Sequence, residues 1–205
     1  LTATPIPTYE PFDGNFSGYV YYYEDERNKD WEQDVVYIAK MFLVNHPRFQ
    51  NASHMNYPEW EVTNNTKDAV MYAERAKKVG ADYALVVTPY YNKPSKEGIF
   101  RHFEAVSKVG IPIIVYNIKG RTGVNIPTDV LVRIAQLPNI AGVKEASGEI
   151  AQMMDVIAQI KNKKPDFAVL SGDDNLTLPL LAAGGDGVIS VVSNLCPSRM
   201  SALVE

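Results

Sequence analysis

A chain of 205 residues, 46% of them hydrophobic, is long enough to bury a substantial core in one or two domains. A formal net charge of -4 and the lack of any Lys/Arg-dense run argue against nucleic acid as a main partner. One cysteine, Cys196, excludes an intrachain disulfide framework and a cysteine-based zinc site, and no apolar run is long enough to span a bilayer.

The first 62 residues carry few signals. Residues 1–15 are rich in Pro, Thr and Gly and read as an irregular lead-in. No basic region followed by an apolar one is visible there, so no signal peptide is expected and the location is expected to be cytoplasmic. Residues 19–23 (YVYYY) have strand propensity. Val35, Ile38, Phe42 and Leu43 give residues 30–45 a helical spacing that stops before Pro47. His46 and His54 lie in loop-like sequence with no third ligand at metal spacing and are read as surface residues. The Asn15, Asn51, Asn64 and Asn175 triplets match the glycosylation acceptor pattern and are treated as incidental.

From Thr63 the text becomes regular. Thr63 or Asn65 can cap a helix through Lys78, with Ala69, Ala73 and Ala76 on one small-residue face and Gly80 as its stop. Residues 84–88 form a buried strand that opens into PYYNKPS, and Ser95 starts an amphipathic helix to Val109. IPIIVY, ending in Tyr116, and NIAGVK, ending in Lys144, are β-branched apolar runs too short to be helices. Between them lie a loop with Arg121 and a helix from Thr128. Ser147 begins a helix to about Ile160, FAVLSG is the next strand, and residues 175–183 are a short helix with Pro179 near its first turn. GVISVV is the last strand, and a helix starts at Pro197.

Strand and helix thus alternate five times, which means a parallel sheet, either doubly wound or a (β/α)8 barrel. Parallel strands deliver their last residues to one face, where α/β proteins place ligands. A tyrosine, an arginine and a lysine arriving there suggest carbonyl chemistry. A lysine in apolar surroundings loses its charge readily, and the neutral amine can attack a ketone to form a Schiff base. The plainer alternative is a strand-end lysine paired with Glu145 or another acid. Taken alone, Tyr116 reads first as a core aromatic with a wet hydroxyl, and the plain reading of Tyr90 and Tyr91 is loop aromatics packed on a helix. Asp173 and Asp174 alone are a weak metal signal.

YNIKGRTG followed by GVKEASG, with TPYYNKPSKEG upstream and SGDD and GVISVVSN downstream, resembles the dihydrodipicolinate synthase family, pyruvate-dependent class I aldolases that include N-acetylneuraminate lyase. The likeness runs from about Thr63 to the end, roughly two thirds of the chain; residues 1–62 stay unassigned and atypical. It implies an α/β fold, a partial or modified (β/α)8 TIM barrel in which strands four to eight of the family are recognisable.

The resemblance further implies that Lys144 forms the Schiff base with pyruvate and that Tyr116 relays protons. Tyr91 would reach into a neighbouring subunit's site, in a homo-oligomer (dimer or tetramer). Arg121 would hold a carboxylate of the second substrate, aspartate semialdehyde, and a guanidinium suits that role because it grips carboxylates in bidentate fashion. Ile189 would lend its backbone carbonyl beside the substrate. Gly172 would lie beside the substrate too, with Asp173 and Asp174 structural at the barrel mouth. The implied activity is a lyase of lysine biosynthesis with no cofactor and no metal. Two departures stand out: Lys119 fills a position usually held by proline, and residues 1–62 hold no GTTGE-like motif for the family's relay threonine.

Overall fold

The computed structural model describes residues 63–78 and 81–204. The expectations for residues 19–23 and 30–45, for His46 and His54, and for Gly80 lie outside the described residues.

The first helix, α1 (Thr66–Lys78), starts where Asn65 accepts a hydrogen bond from the Lys67 N–H at 2.9 Å. Its buried face is Ala69, Ala73 and Ala76, small residues that let the helix lie close to its neighbours. Strand β1 (Ala84–Val87) is buried along its whole length. Helix α2 (Lys96–Ser107) is capped by Ser95, which accepts from the Gly98 N–H at 3.2 Å, and it buries Ile99, Phe103 and Val106. Strand β2 (Ile113–Asn117) leads into a single turn, α3 (Lys119–Thr122), and then α4 (Thr128–Ala135). Strand β3 (Ile140–Glu145) is followed by α5 (Ile150–Val156), which widens into a π turn at Ile157–Lys161. After β4 (Ala168–Ser171) come a 3-10 turn (Asp174–Leu176), α6 (Thr177–Ala182), β5 (Gly187–Val188) and α7 (Pro197–Val204).

All five strands are parallel, and their order in the sheet is their order in the chain. A doubly wound sheet reverses its order at a switch point. Here every crossover steps the same way, which is the winding of a barrel wall.

One register shift, between Ile113 and Ile114, pairs Ile113 with Ile140 and Ile114 with Gly142, so β3 gains one residue there. Downstream of it Tyr116 faces Lys144, and Asn117 faces Glu145. Gly142 is required next to this irregularity, because a Cβ there would sit 2.5 Å from the Ala168 carbonyl oxygen of β4.

Both faces of the sheet are covered. Val86, Ile113, Val115, Val143 and Val169 join the helices in the larger core. Leu85, Ile114 and Ile189 form a smaller cluster on the other face, with Tyr83, Tyr116, Ala141 and Leu170 against it. This explains why the strands read as unbroken apolar runs rather than alternating ones. Each fully buried valine or isoleucine contributes about 1.5–3 kcal/mol by leaving water.

Two expected elements are shorter than read. The last strand pairs over Gly187–Val188 only. The N–H groups of Val191 and Val192 are taken by the Asp174 carboxylate at 3.1 and 3.0 Å, which turns the chain out of the sheet. The helix expected from Ser147 starts at Ile150, since Gly148 has φ +81° and the Ser147 N–H is held by the Glu145 carboxylate at 2.8 Å. No helix among the described residues is long and apolar enough to cross a membrane.

Candidate active site

The strand register brings Val87, Tyr116, Lys144 and Leu170 into one row near the carboxyl ends of β1 to β4. Lys144 is only 3% exposed, and its Nζ stands 4.3 Å from the centroid of the Tyr116 ring. Burial lowers its pKa to about 8; Asp174 and Asp173 oppose that shift, and the Arg121 charge adds to it. A sizeable share of the amine is therefore neutral near physiological pH, as a nucleophile requires. The ring face of Tyr116 also stabilises the ammonium that remains.

Tyr116 is half-buried, and its phenol is pushed up, first by burial; Arg121 acts the other way and Asp173 reinforces the rise. The hydroxyl thus keeps its proton at neutral pH and can donate it. Arg121 lies exposed on α3, the turn that leaves β2 directly after Asn117 and Ile118. The buried Thr122 hydroxyl fixes this turn, lying 3.0 Å from the Ile118 carbonyl and 2.8 Å from that of Val124.

Gly172 follows β4 and crosses directly beneath the lysine. A Cβ at residue 172 would lie 3.1 Å from Lys144 Cε, 3.2 Å from Cγ and 2.6 Å from Ala146 Cβ. The side chain of Ile189 is buried in the inner cluster, and its N–H donates to the Ser171 carbonyl at 2.9 Å. Tyr91 is placed differently. It is 88% exposed at φ +70°, an unusual conformation for a bulky residue, and contributes little to this chain's own packing.

Asp174 binds the Ser190 hydroxyl and the N–H groups of Val191 and Val192, so it ties the loop after β5 to the end of β4. Among the described residues no group of three or more His, Cys, Asp or Glu side chains could hold a metal ion.

A second row was not anticipated. Thr88, Asn117, Glu145 and Ser171, each one position beyond the first row, are fully buried on the opposite, helix-facing side. Glu145 therefore does not serve Lys144 as a counter-ion. Its carboxylate accepts from Asn117 Nδ2 at 3.0 Å through both oxygens and from the Ser147 N–H at 2.8 Å. The signal was present in the strand alternation, which sends consecutive side chains to opposite faces.

The Dihydrodipicolinate synthetase family model matches residues 62–205. The chain belongs to this family. It is 58% identical over 141 residues to the 4-hydroxy-tetrahydrodipicolinate synthase of Protochlamydia amoebophila, covering 68% of this chain and 47% of that protein. Among solved structures, the dihydrodipicolinate synthase of Thermotoga maritima superposes with a TM-score of 0.67 at 46% identity, over 69% of this chain and 49% of that one. A chloride-inhibited dihydrodipicolinate synthase of Acinetobacter baumannii, complexed with pyruvate, gives a TM-score of 0.66 at 42% identity over 69% of this chain and 48% of its own. The chain spans about half the length of the relatives it matches. Together with the strand order, this makes the five-stranded sheet a partial (β/α)8 barrel.

Proposed function

We propose that residues 63–205 are the C-terminal part of a 4-hydroxy-tetrahydrodipicolinate synthase, family strands four to eight, in which Lys144 condenses pyruvate with aspartate semialdehyde. Residues 1–62 are proposed to be a separate, atypical segment. The observation that carries the reading is the buried amine of Lys144, with its pKa lowered to about 8, set 4.3 Å from the Tyr116 ring at the carboxyl end of a parallel sheet.

The neutral Lys144 amine attacks C2 of pyruvate to give a carbinolamine. Loss of water, with Tyr116 supplying and recovering the proton, leaves the imine. The imine draws electrons from C3, which loses a proton to give the enamine, so no separate cofactor is invoked. The enamine adds to the aldehyde of aspartate semialdehyde, whose carboxylate is held by Arg121. Cyclisation and release then return the free lysine. Gly172 and the Ile189 carbonyl flank the substrate in this scheme. Tyr91, exposed here, would complete the relay in a second copy, so the working form is a homo-oligomer acting in the cytoplasm.

A second reading, a non-catalytic hybrid or paralogue, is favoured by one observation: residues 1–62 contain no GTTGE-like motif to supply the relay threonine. Cleavage of another 2-keto acid is weakened by Arg121, which suits a carboxylated aldehyde.

Intact-mass analysis after pyruvate and borohydride, followed by peptide mapping, separates these readings. The synthase reading expects one reduced pyruvate adduct on Lys144, absent in Lys144→Ala. A folded sample with no adduct would overturn it in favour of the non-catalytic one.

A further inference from the structure

Lys144 and Tyr116 are neighbours across β2 and β3, and so are the residues that follow them, Glu145 and Asn117. Successive strand residues point to opposite faces, so the second pair lies behind the first, on the helix side. We propose that the Asn117–Glu145 bridge is a positioning element that holds the Lys144 amine against the Tyr116 ring from the far face of the sheet. The link to imine formation rests on the function proposed above; the positioning itself does not.

Both residues are fully buried. Asn117 Nδ2 donates to both carboxylate oxygens at 3.0 Å, while its Oδ1 accepts from the Ile126 N–H at 3.0 Å. Glu145 in turn holds the Ser147 N–H at 2.8 Å, and the Ala146 N–H donates to the Asn117 carbonyl at 2.8 Å. The chain just after Lys144 is therefore tied to the end of β2 through side chain and backbone together. Asn125 extends the bridge: its Oδ1 accepts from Asn117 Nδ2 at 2.9 Å, and its Nδ2 donates to Gln152 Oε1 on α5 at 2.8 Å. The segment that carries Arg121 is anchored by the same set of bonds.

A buried carboxylate whose bonded partners are an amide and an N–H is costly, and a well-packed apolar pair would hold two strands together at least as firmly. What the polar bridge adds is direction, because it is satisfied in one register and at one angle only. Burial raises the Glu145 pKa, Asn117 and Ser147 pull it down, and Asp173 adds to the rise. Among the groups that act on Lys144 itself are Asp174, Asp173 and Arg121, with Tyr116 at its side.

The test is the pH profile of Lys144 acetylation by acetic anhydride, read by peptide mapping on the full chain, with circular dichroism confirming the fold. In the native chain half-maximal reactivity is expected near pH 8. In Glu145→Gln the side chain turns an N–H toward the Asn117 amide, the strand ends part, and water reaches the amine. The midpoint then rises, and labelling at pH 8 slows about tenfold. Asn117→Ala breaks the bridge from the other strand while keeping the Glu145 carboxyl group, and its midpoint should rise in the same way, with labelling at pH 8 again about tenfold slower. A folded Glu145→Gln with the native profile overturns the proposal. So does a midpoint that falls, which is the mark of a lost negative charge acting only through its field. If Glu145→Gln does not fold, Asn117→Ala decides alone: a raised midpoint supports the bridge and a native or lowered one sinks it. Pyruvate trapping by the native chain is read separately, so failure there removes the synthase reading while these profiles still decide the bridge.

Discussion

Lys144 Nζ lies 4.3 Å from the Tyr116 ring centroid, a distance set by their pairing across β2 and β3. With a pKa of about 8, the amine is neutral in only a minor fraction at pH 6 and predominantly so at pH 9. The initial rate of borohydride-trapped pyruvate adduct should therefore rise through about pH 8 and level off above it. A flat profile from pH 6 to 9 would mean that the amine is not the titrating nucleophile.

The same burial costs stability. The ammonium is disfavoured in the folded chain from the ordinary 10.5 down to about 8, a penalty on the order of 3 kcal/mol. It is full below pH 8 and is relieved as pH rises from 8 to 10.5. Lys144→Met should abolish the adduct yet raise stability at pH 7 by about 1–3 kcal/mol, an advantage that shrinks above pH 8. Urea unfolding at pH 7 and pH 9.5 would measure both effects.

Gly172→Ala should damage the site more than the fold. The new methyl would press on Lys144 and on Ala146, and the backbone has to shift, at about 1–3 kcal/mol. Because the new methyl presses on the stem that carries the amine, pyruvate trapping should slow about tenfold or more. Equal trapping rates for the two proteins would show that Lys144 reaches its substrate by another path.

His102 predicts an acid limit. It is 2% exposed, and its Nδ1 lies 2.9 Å from Thr66 Oγ1. Burial lowers its pKa from 6.5 to about 4, with the Val87 carbonyl opposing. The unfolded chain takes up a proton below pH 6.5 while the folded chain resists until about 4, so the stability this group confers at neutral pH is lost across that window. The loss is on the order of 3 kcal/mol, measurable by urea unfolding at pH 7 and pH 4.5. A His102→Gln protein that keeps the full acid slope would remove this explanation.

Asp174→Ala should release the loop after β5. Three bonds from Ser190, Val191 and Val192 are lost, at a cost of about 1–2 kcal/mol. Faster hydrogen exchange at the Val191 and Val192 amides, with the N–H of Val143 still protected, would confirm the local effect.

Much of the fold was legible in the chain itself. The runs ALVV, IIVY and AVLS declared themselves as strands because strands covered on both faces must be apolar throughout. Ser95 marked a helix start because its hydroxyl can satisfy an N–H that the first turn leaves free. Lys144 stood out because a lysine ending a buried strand needs a reason. Sequence alone determined these local choices, each decided by a residue and its near neighbours.

Tertiary structure decided the rest. Whether the sheet winds as a barrel wall or reverses depended on which strands pair. GVISVV stopped pairing after Val188 because a carboxylate 17 and 18 positions earlier captured the Val191 and Val192 amides. The role of Glu145, directly beside Lys144 in sequence, turned on the face to which β3 presents it, where Asn117 waits 28 positions away. Hydrogen bonds between distant residues form only after the strands have taken their places, and no local pattern of residues encodes which partner will be within 3 Å.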